Sequence, residues 1–467
     1  MTDFPAIRLS YLILQGYLIL QGLELPSIEF PYLGARGLVG MVMLIHIFFA
    51  TLFVGYAIGS PLLQAWSVRT GNRRFERLAH SMARFNLLTF SVGATWAVMF
   101  LVVLVGLYPR VAAGLFTHFF WFFPVMAMAS MLLTLWLFYF HYYRAKNRAL
   151  PKNIAAGFAA AFFIWIWQVI LTGIDTFMVT GGGPGNPAVP RGTGVSGIGS
   201  AFDSLISPMW LTLNIHRTFG NLSWPAYAVA AWAAFMYARS KKAEDKAFYD
   251  WAGSMGVVWG TVFLLLQPFA GFFIALTLKN LDYQPGDLSV PGASGPYDRL
   301  VGSGAESTFT SNLLWINLLI VVGLFVLSNA AMYLGAGRHP DRVGRVPIRF
   351  FGLLAAVAGL YSLSPMADWP FLCMRYIMIA IMVLATLGTL VAYVRGRGRF
   401  RYGSPSGWHR AALLALGVLA AVVTLNMGFM KSNSRVPYTI YGDDSYKVQS
   451  ENPVSPAELK PENPSEP

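Results

Sequence analysis

Of the seven histidines in the chain, only His46 and His216 fall well inside long apolar runs. An ionisable side chain in a bilayer is costly, so each such residue is a functional hypothesis. A neutral imidazole is uncharged and can bind a metal through one ring nitrogen. His46 and His216 each lie roughly ten residues, or about 15 Å of helix, from the same side of the predicted bundle. Two ligands for cofactors on one side of a membrane would show such a match. The competing reading is a pair of hydrogen-bonded packing residues, to which matched depth is incidental. The other five sort differently. His339 and His409 fall in basic loops, His80 and His141 at inner helix ends, and His118 at the outer entrance of the third run.

Methionine thioether is the other uncharged ligand a haem iron accepts inside a membrane. Most of the 19 methionines read as core filler. In "WPFLCMRYIMIAIMV", however, Met374, Met378 and Met382 recur at i, i+4 on one helical face, with Arg375 beside them. Arg217 follows His216 directly in "LNIHRTFGNLSW". Arg217 and Arg375 lie at comparable depths. Either guanidinium could pair with a haem propionate, or snorkel outward from a helix end. Asp175, in "WQVILTGIDTFMVT", could transfer protons, counter Arg217 or Arg375, or simply face water from a helix end. The single cysteine, Cys373, excludes internal disulfides, covalent c-type haem and cysteine-ligated iron–sulfur clusters.

The elements that must position these residues are membrane helices. Charged residues make up 12% of the chain, against about 25% in soluble domains. Ten runs are long and apolar enough to be spans: 37–66, 80–107, 117–142, 154–179, 207–238, 253–278, 312–335, 349–365, 369–394 and 411–430. The fold class expected is an all-α polytopic helix bundle. Loops such as "SVRTGNRRFER" and "YVRGRGRFRYGSPSGWHR" are short and basic; they alternate with glycine- and proline-rich loops poor in Lys and Arg. The positive-inside rule puts the basic set in the cytoplasm and both termini outside. It also accounts for the net charge of +13 without nucleic acid. Residues 1–35 read as an interfacial amphipathic segment without a signal-peptide cleavage site. Residues 443–467 read as a disordered periplasmic tail.

These residues together resemble subunit I of the cytochrome bd quinol oxidases, over most of 36–442. "MLIHIFFATLFVGYAIG" is similar to that family's first helix, whose histidine ligates a haem of the high-spin pair; His46 falls there. "LISPMWLTLNIHRTFGNLSWPAYAVAAWAAF" is similar to its fifth helix, with His216 at the low-spin haem b ligand. "MRYIMIAIMV" resembles the segment carrying the second low-spin ligand. Met378 matches best, Met374 is the runner-up, and Arg375 is one place out of register. "MGFMKSNSRVPYTIYG" resembles a degraded form of a late motif, with Arg435, Pro437 and Tyr438 at its Arg, Pro and Trp. The motif's glutamate ligand has no counterpart. Met128 and Trp136 stand where the third helix of the family carries two glutamates. Two helices, at about 312–365, are additional to the family's pattern.

The resemblance implies one low-spin haem b, and one or two further haems, in a multi-pass protein of the bacterial inner membrane. It implies a second membrane subunit of bd-like type. A periplasmic cytochrome c or other redox subunit, or quinol, would exchange electrons with the haems. The missing carboxylates weigh against oxygen reduction. A divergent terminal oxidase and a haem-free membrane anchor are the alternative readings.

Overall fold

The computed structural model describes residues 34–107, 109–139, 150–180, 196–280, 308–364 and 373–433. Residues 1–33 of the interfacial segment, Arg435 and the tail from 443 lie outside the described residues, as does most of both glycine-rich loops. Among the described residues there are twelve α-helices and no strand. They are α1 (Gly34–Thr70), α2 (Arg73–Leu107), α3 (Pro109–His118), α4 (Met128–Tyr139), α5 (Pro151–Thr180), α6 (Ile198–Leu205), α7 (Trp210–Arg239), α8 (Ala243–Asn280), α9 (Thr308–Gly335), α10 (Arg342–Leu363), α11 (Met374–Gly396) and α12 (Gly407–Asn433). Nine described helices are long and apolar enough to cross a membrane. The protein is an all-α, multi-pass membrane helix bundle.

The helix carrying His216 is not one of the nine. At 30 residues α7 is about 45 Å long, ample for a span. Its apolar character is diluted by Asn214, His216, Arg217, Thr218, Asn221 and Ser223. Packing makes this tolerable: α7 lies against α8, α12, α1 and α5. Polar groups in a membrane helix are accommodated where they face other helices.

Small residues set how closely these helices approach. A Cβ added at Gly256 of α8 would fall 2.6 Å from the Ala226 carbonyl oxygen and 2.7 Å from the Ala230 nitrogen of α7. A Cβ on Gly260 would fall 2.6 Å from Cε1 of Tyr227. Gly55 of α1 lies directly against the Asn221 carbonyl and the Pro225 ring of α7. Tyr227 is fully buried, and its hydroxyl lies 2.8 Å from Ser328 Oγ of α9.

The basic turns gather at one end of the bundle. Arg77 donates to Asp245 at 2.6 Å, the Arg401 amide to the Arg338 carbonyl at 3.0 Å, and Tyr237 to the Gly403 carbonyl at 2.9 Å. At the centre Arg338 and Asp250, both buried, form an ion pair. Arg338 also donates to Tyr393. Asp250 Oδ2 accepts the Gly403 amide at 2.9 Å, and Tyr393 lies 2.9 Å from Ser254 Oγ.

Two local features differ from the sequence reading. The third apolar run is not one regular helix: α3 ends at His118, and a π-helix over Trp121–Ala127 leads into α4. Pro124 sits inside it, where its missing N–H would interrupt an α-helical ladder. Met128 and Trp136 are 48% and 64% exposed, directed away from the bundle interior. His409, expected in a loop, lies in the first turn of α12, 1% exposed. Its ring satisfies a buried acceptor, because Nδ1 lies 3.0 Å from the Ala331 carbonyl.

Candidate cofactor-binding site

His46 projects from α1 toward α2. Its Nδ1 lies 2.9 Å from the Gly93 carbonyl oxygen. A carbonyl oxygen only accepts, so Nδ1 carries the proton and the neutral ring keeps its lone pair on Nε2. A backbone acceptor on one nitrogen and a free lone pair on the other is the usual state of a metal-binding histidine. Gly93 permits the close approach: a Cβ there would be 3.2 Å from that of Phe49.

His216 projects from α7 toward α8. A Cβ on Gly271 would sit 3.7 Å from its Cε1 and 3.8 Å from its Nδ1, so the ring lies across that glycine. One turn before it, Gln267 donates from Nε2 to the His216 carbonyl at 3.1 Å. Nδ1 of His216 and Oε1 of Gln267 are both shielded and have no hydrogen-bond partner.

Arg217 turns the other way, toward α5. Its Nη1 lies 3.3 Å from Asp175 Oδ2 and 2.9 Å from Thr172 Oγ1. Of the roles open to Asp175, the one seen is that of a counter-ion to Arg217. The same seam continues along both helices. Asn221 donates to Gln168 Oε1 at 2.6 Å, and Gln168 to Thr218 Oγ1 at 3.2 Å. Trp165 also reaches Thr218, at 3.3 Å. Arg217 directly follows His216 in α7, so its charge is carried at the same level of the helix.

Two registers give the depths. Gly55 meets α7 between Asn221 and Pro225. His46 lies nine residues outward of Gly55, and His216 five to nine outward of that contact. At about 1.5 Å per residue, the two histidines stand within roughly one helical turn of each other. The second register is the Ser254–Tyr393 contact between α8 and α11. Met378 lies fifteen residues outward of Tyr393; fifteen outward of Ser254 falls between Gln267 and Gly271. Met378 therefore stands level with the pair flanking His216.

Laterally, Met378 is half-buried against the main apolar core. Its helix packs on α10, α9 and α8, and has no extended contact with α7. Met374 and Arg375 occupy the first turn of α11 and are half-buried. Met382, on the same face, is buried; a Cβ on Gly359 of α10 would meet its sulfur at 3.0 Å. Among the described residues no three His, Cys, Asp or Glu converge as a multidentate metal centre requires. Axial ligation of a haem takes one side chain on each face and needs no such cluster.

Gln267, Asn221 and Thr172 were not singled out in the sequence. The available signal was the amide or hydroxyl inside an apolar run, as in "LLLQPFAG". Such a residue does not reveal which neighbouring helix it faces.

No family model matches the chain, and no curated protein does. Among solved structures it is similar to the bd oxidase from Geobacillus thermodenitrificans, at 14% identity and a TM-score of 0.46. The match covers 85% of this chain and 96% of that one.

Proposed function

We propose that this chain is a haem b-bearing membrane subunit of a bd-like oxidoreductase. It would carry electrons between membrane haems and a periplasmic redox partner or quinol, beside a second membrane subunit. The observation that carries this reading is the pair of imidazoles level with each other, one with its Nδ1 already held by a backbone carbonyl.

The residues fit the group. Nδ1 of His216 is shielded and without a partner inside a membrane helix, which costs free energy unless an acceptor takes its proton and leaves Nε2 for a ligand. Met378, level with it on a helix that does not close against α7, would hold the same haem from the other side, with Met374 the alternative. His46 would hold a further haem through Nε2. Bound haem b supplies one-electron redox chemistry. The chain's own task is to hold the imidazoles neutral and oriented. Arg217 brings positive charge to both, and Asp175 balances it across the α5–α7 seam.

A reduced-minus-oxidised visible spectrum of the purified complex tests the reading. We expect b-type bands that persist in His46→Ala, with loss of a second component, and vanish for the low-spin haem in His216→Ala. A preparation with full occupancy of both membrane subunits and no b-type band would refute it. Loss of the low-spin signal in Met374→Ala but not in Met378→Ala would move the second ligand by one turn.

A further inference from the structure

The contact between α7 and α8 contains two buried polar atoms of complementary kind that are unused: Nδ1 of His216 and Oε1 of Gln267. We propose that Gln267 is the positioning residue of His216. Its Oε1 accepts the Nδ1 proton, so that Nε2 is the nitrogen presented for ligation. This deepens the haem reading above and rests on it.

Three observations point to Gln267. It already touches His216, because its Nε2 donates to the His216 carbonyl at 3.1 Å. It lies one turn from Gly271, over which the imidazole sits, so one face of α8 meets both the main chain and the ring of His216. The amide also lies close to the α7 backbone: a Cβ on Gly220 would fall 2.9 Å from Gln267 Nε2. His46 shows the completed form of the same arrangement. Its Nδ1 proton goes to an acceptor on the neighbouring helix, the Gly93 carbonyl at 2.9 Å. At His216 the acceptor on the neighbouring helix is a side-chain amide.

An uncompensated imidazole N–H and amide oxygen in an apolar setting each cost free energy that one hydrogen bond removes. Pairing them fixes the tautomer and makes Nε2 a stronger donor to iron, which favours the oxidised haem. Replacing the acceptor should therefore raise the midpoint potential of the low-spin haem and weaken its retention.

The test uses the intact complex, with Gln267→Met, Gln267→Glu and His216→Ala compared. Low-spin haem content, midpoint potential and the EPR g-values of that haem are the readouts. Gln267→Met, which keeps the length but removes the acceptor, should raise the potential and lower haem retention on dilution by about 10–100-fold. Gln267→Glu, which restores a stronger acceptor, should bring retention back and set the potential below that of the unmodified protein. If both variants keep unmodified potential and g-values while His216→Ala abolishes the low-spin signal, Gln267 does not position His216, and the haem reading stands. If His216→Ala leaves the signal intact, the haem assignment fails and this inference with it.

Discussion

Arg217 and Asp175 form an ion pair of 3.3 Å that joins α7 to α5 at the level of the two candidate ligand histidines. It places a cation and its counter-ion beside imidazoles that must remain neutral. Asp175→Asn removes the negative member. Breaking a fully buried pair costs about 3–5 kcal/mol. The Arg217 side chain is 25% exposed, so a loss of about 1–3 kcal/mol is expected. The same change leaves more positive potential at the histidines, so the midpoint of a haem there should rise. A redox titration reads the second effect independently of the thermal melt that reads the first. An unshifted midpoint would show that the pair acts only in packing.

The Arg338–Asp250 pair at the basic end should behave as a structural tie. Its side chains are 5% and 0% exposed, and each partner has further hydrogen bonds to Tyr393 or Gly403. Asp250→Ala strands a buried guanidinium and should cost about 3–5 kcal/mol, with no shift in haem spectrum. The double variant Asp250→Leu with Arg338→Met should recover part of that loss. A single variant as stable as the unmodified protein would show that the buried pair contributes nothing.

The glycines of α8 should respond unequally to one added methyl. At Gly256 the new carbon meets backbone atoms 2.6–2.7 Å away, and neither helix can yield locally. Gly256→Ala should cost about 1–3 kcal/mol by forcing α7 and α8 apart. At Gly271 the neighbours are the His216 ring atoms at 3.7–3.8 Å, ordinary contact distance. Gly271→Ala should be neutral within about 0.5 kcal/mol. Thermal unfolding in detergent gives the ordering, and equal effects would contradict the packing described for α7 and α8.

His118 introduces a pH dependence at the end of the bundle opposite the basic turns. It is 1% exposed, stacked on Phe177, with Nδ1 2.9 Å from Ser196 Oγ. Burial pushes its pKa down to about 4. A histidine depressed in this way stabilises the fold fully above the unfolded value of about 6.5. That contribution drains away as pH falls from 6.5 toward 4, because the unfolded chain takes up the proton first. The unmodified protein should therefore lose melting temperature over this interval faster than His118→Phe. Parallel curves would mean that the buried imidazole does not contribute to the acid response.

Much of the architecture was legible in the sequence. Apolar runs located the helices, because a bilayer demands long unbroken hydrophobicity, but several helices begin earlier than their apolar runs. Arg73–Arg77 and Arg342–Arg349 are polar yet helical, since a helix end at the water boundary keeps winding. The break after His118 was not legible: Pro124 signals a disturbance, and neighbouring helices decide whether it becomes a π-turn. At the candidate site, the depths of His46 and His216 could be counted along the chain. Their directions could not. Adjacent residues His216 and Arg217 face α8 and α5 respectively, and only the packing of three helices shows it. The low hydropathy of α7 did not hide it: the run 207–238 read as a span, and its polar residues are those that meet α5 and α8.

That polar composition bears on how the protein is made. A segment carrying Asn214, His216, Arg217 and Asn221 partitions poorly into lipid when it leaves the translocon alone. It is followed, after residues 240–242, by α8, which is amply apolar and meets it through Gly256 and Gly260. The two are thus suited to enter the bilayer as one hairpin, the later helix carrying in the earlier. The glycines of α8 then serve biogenesis as well as the finished fold.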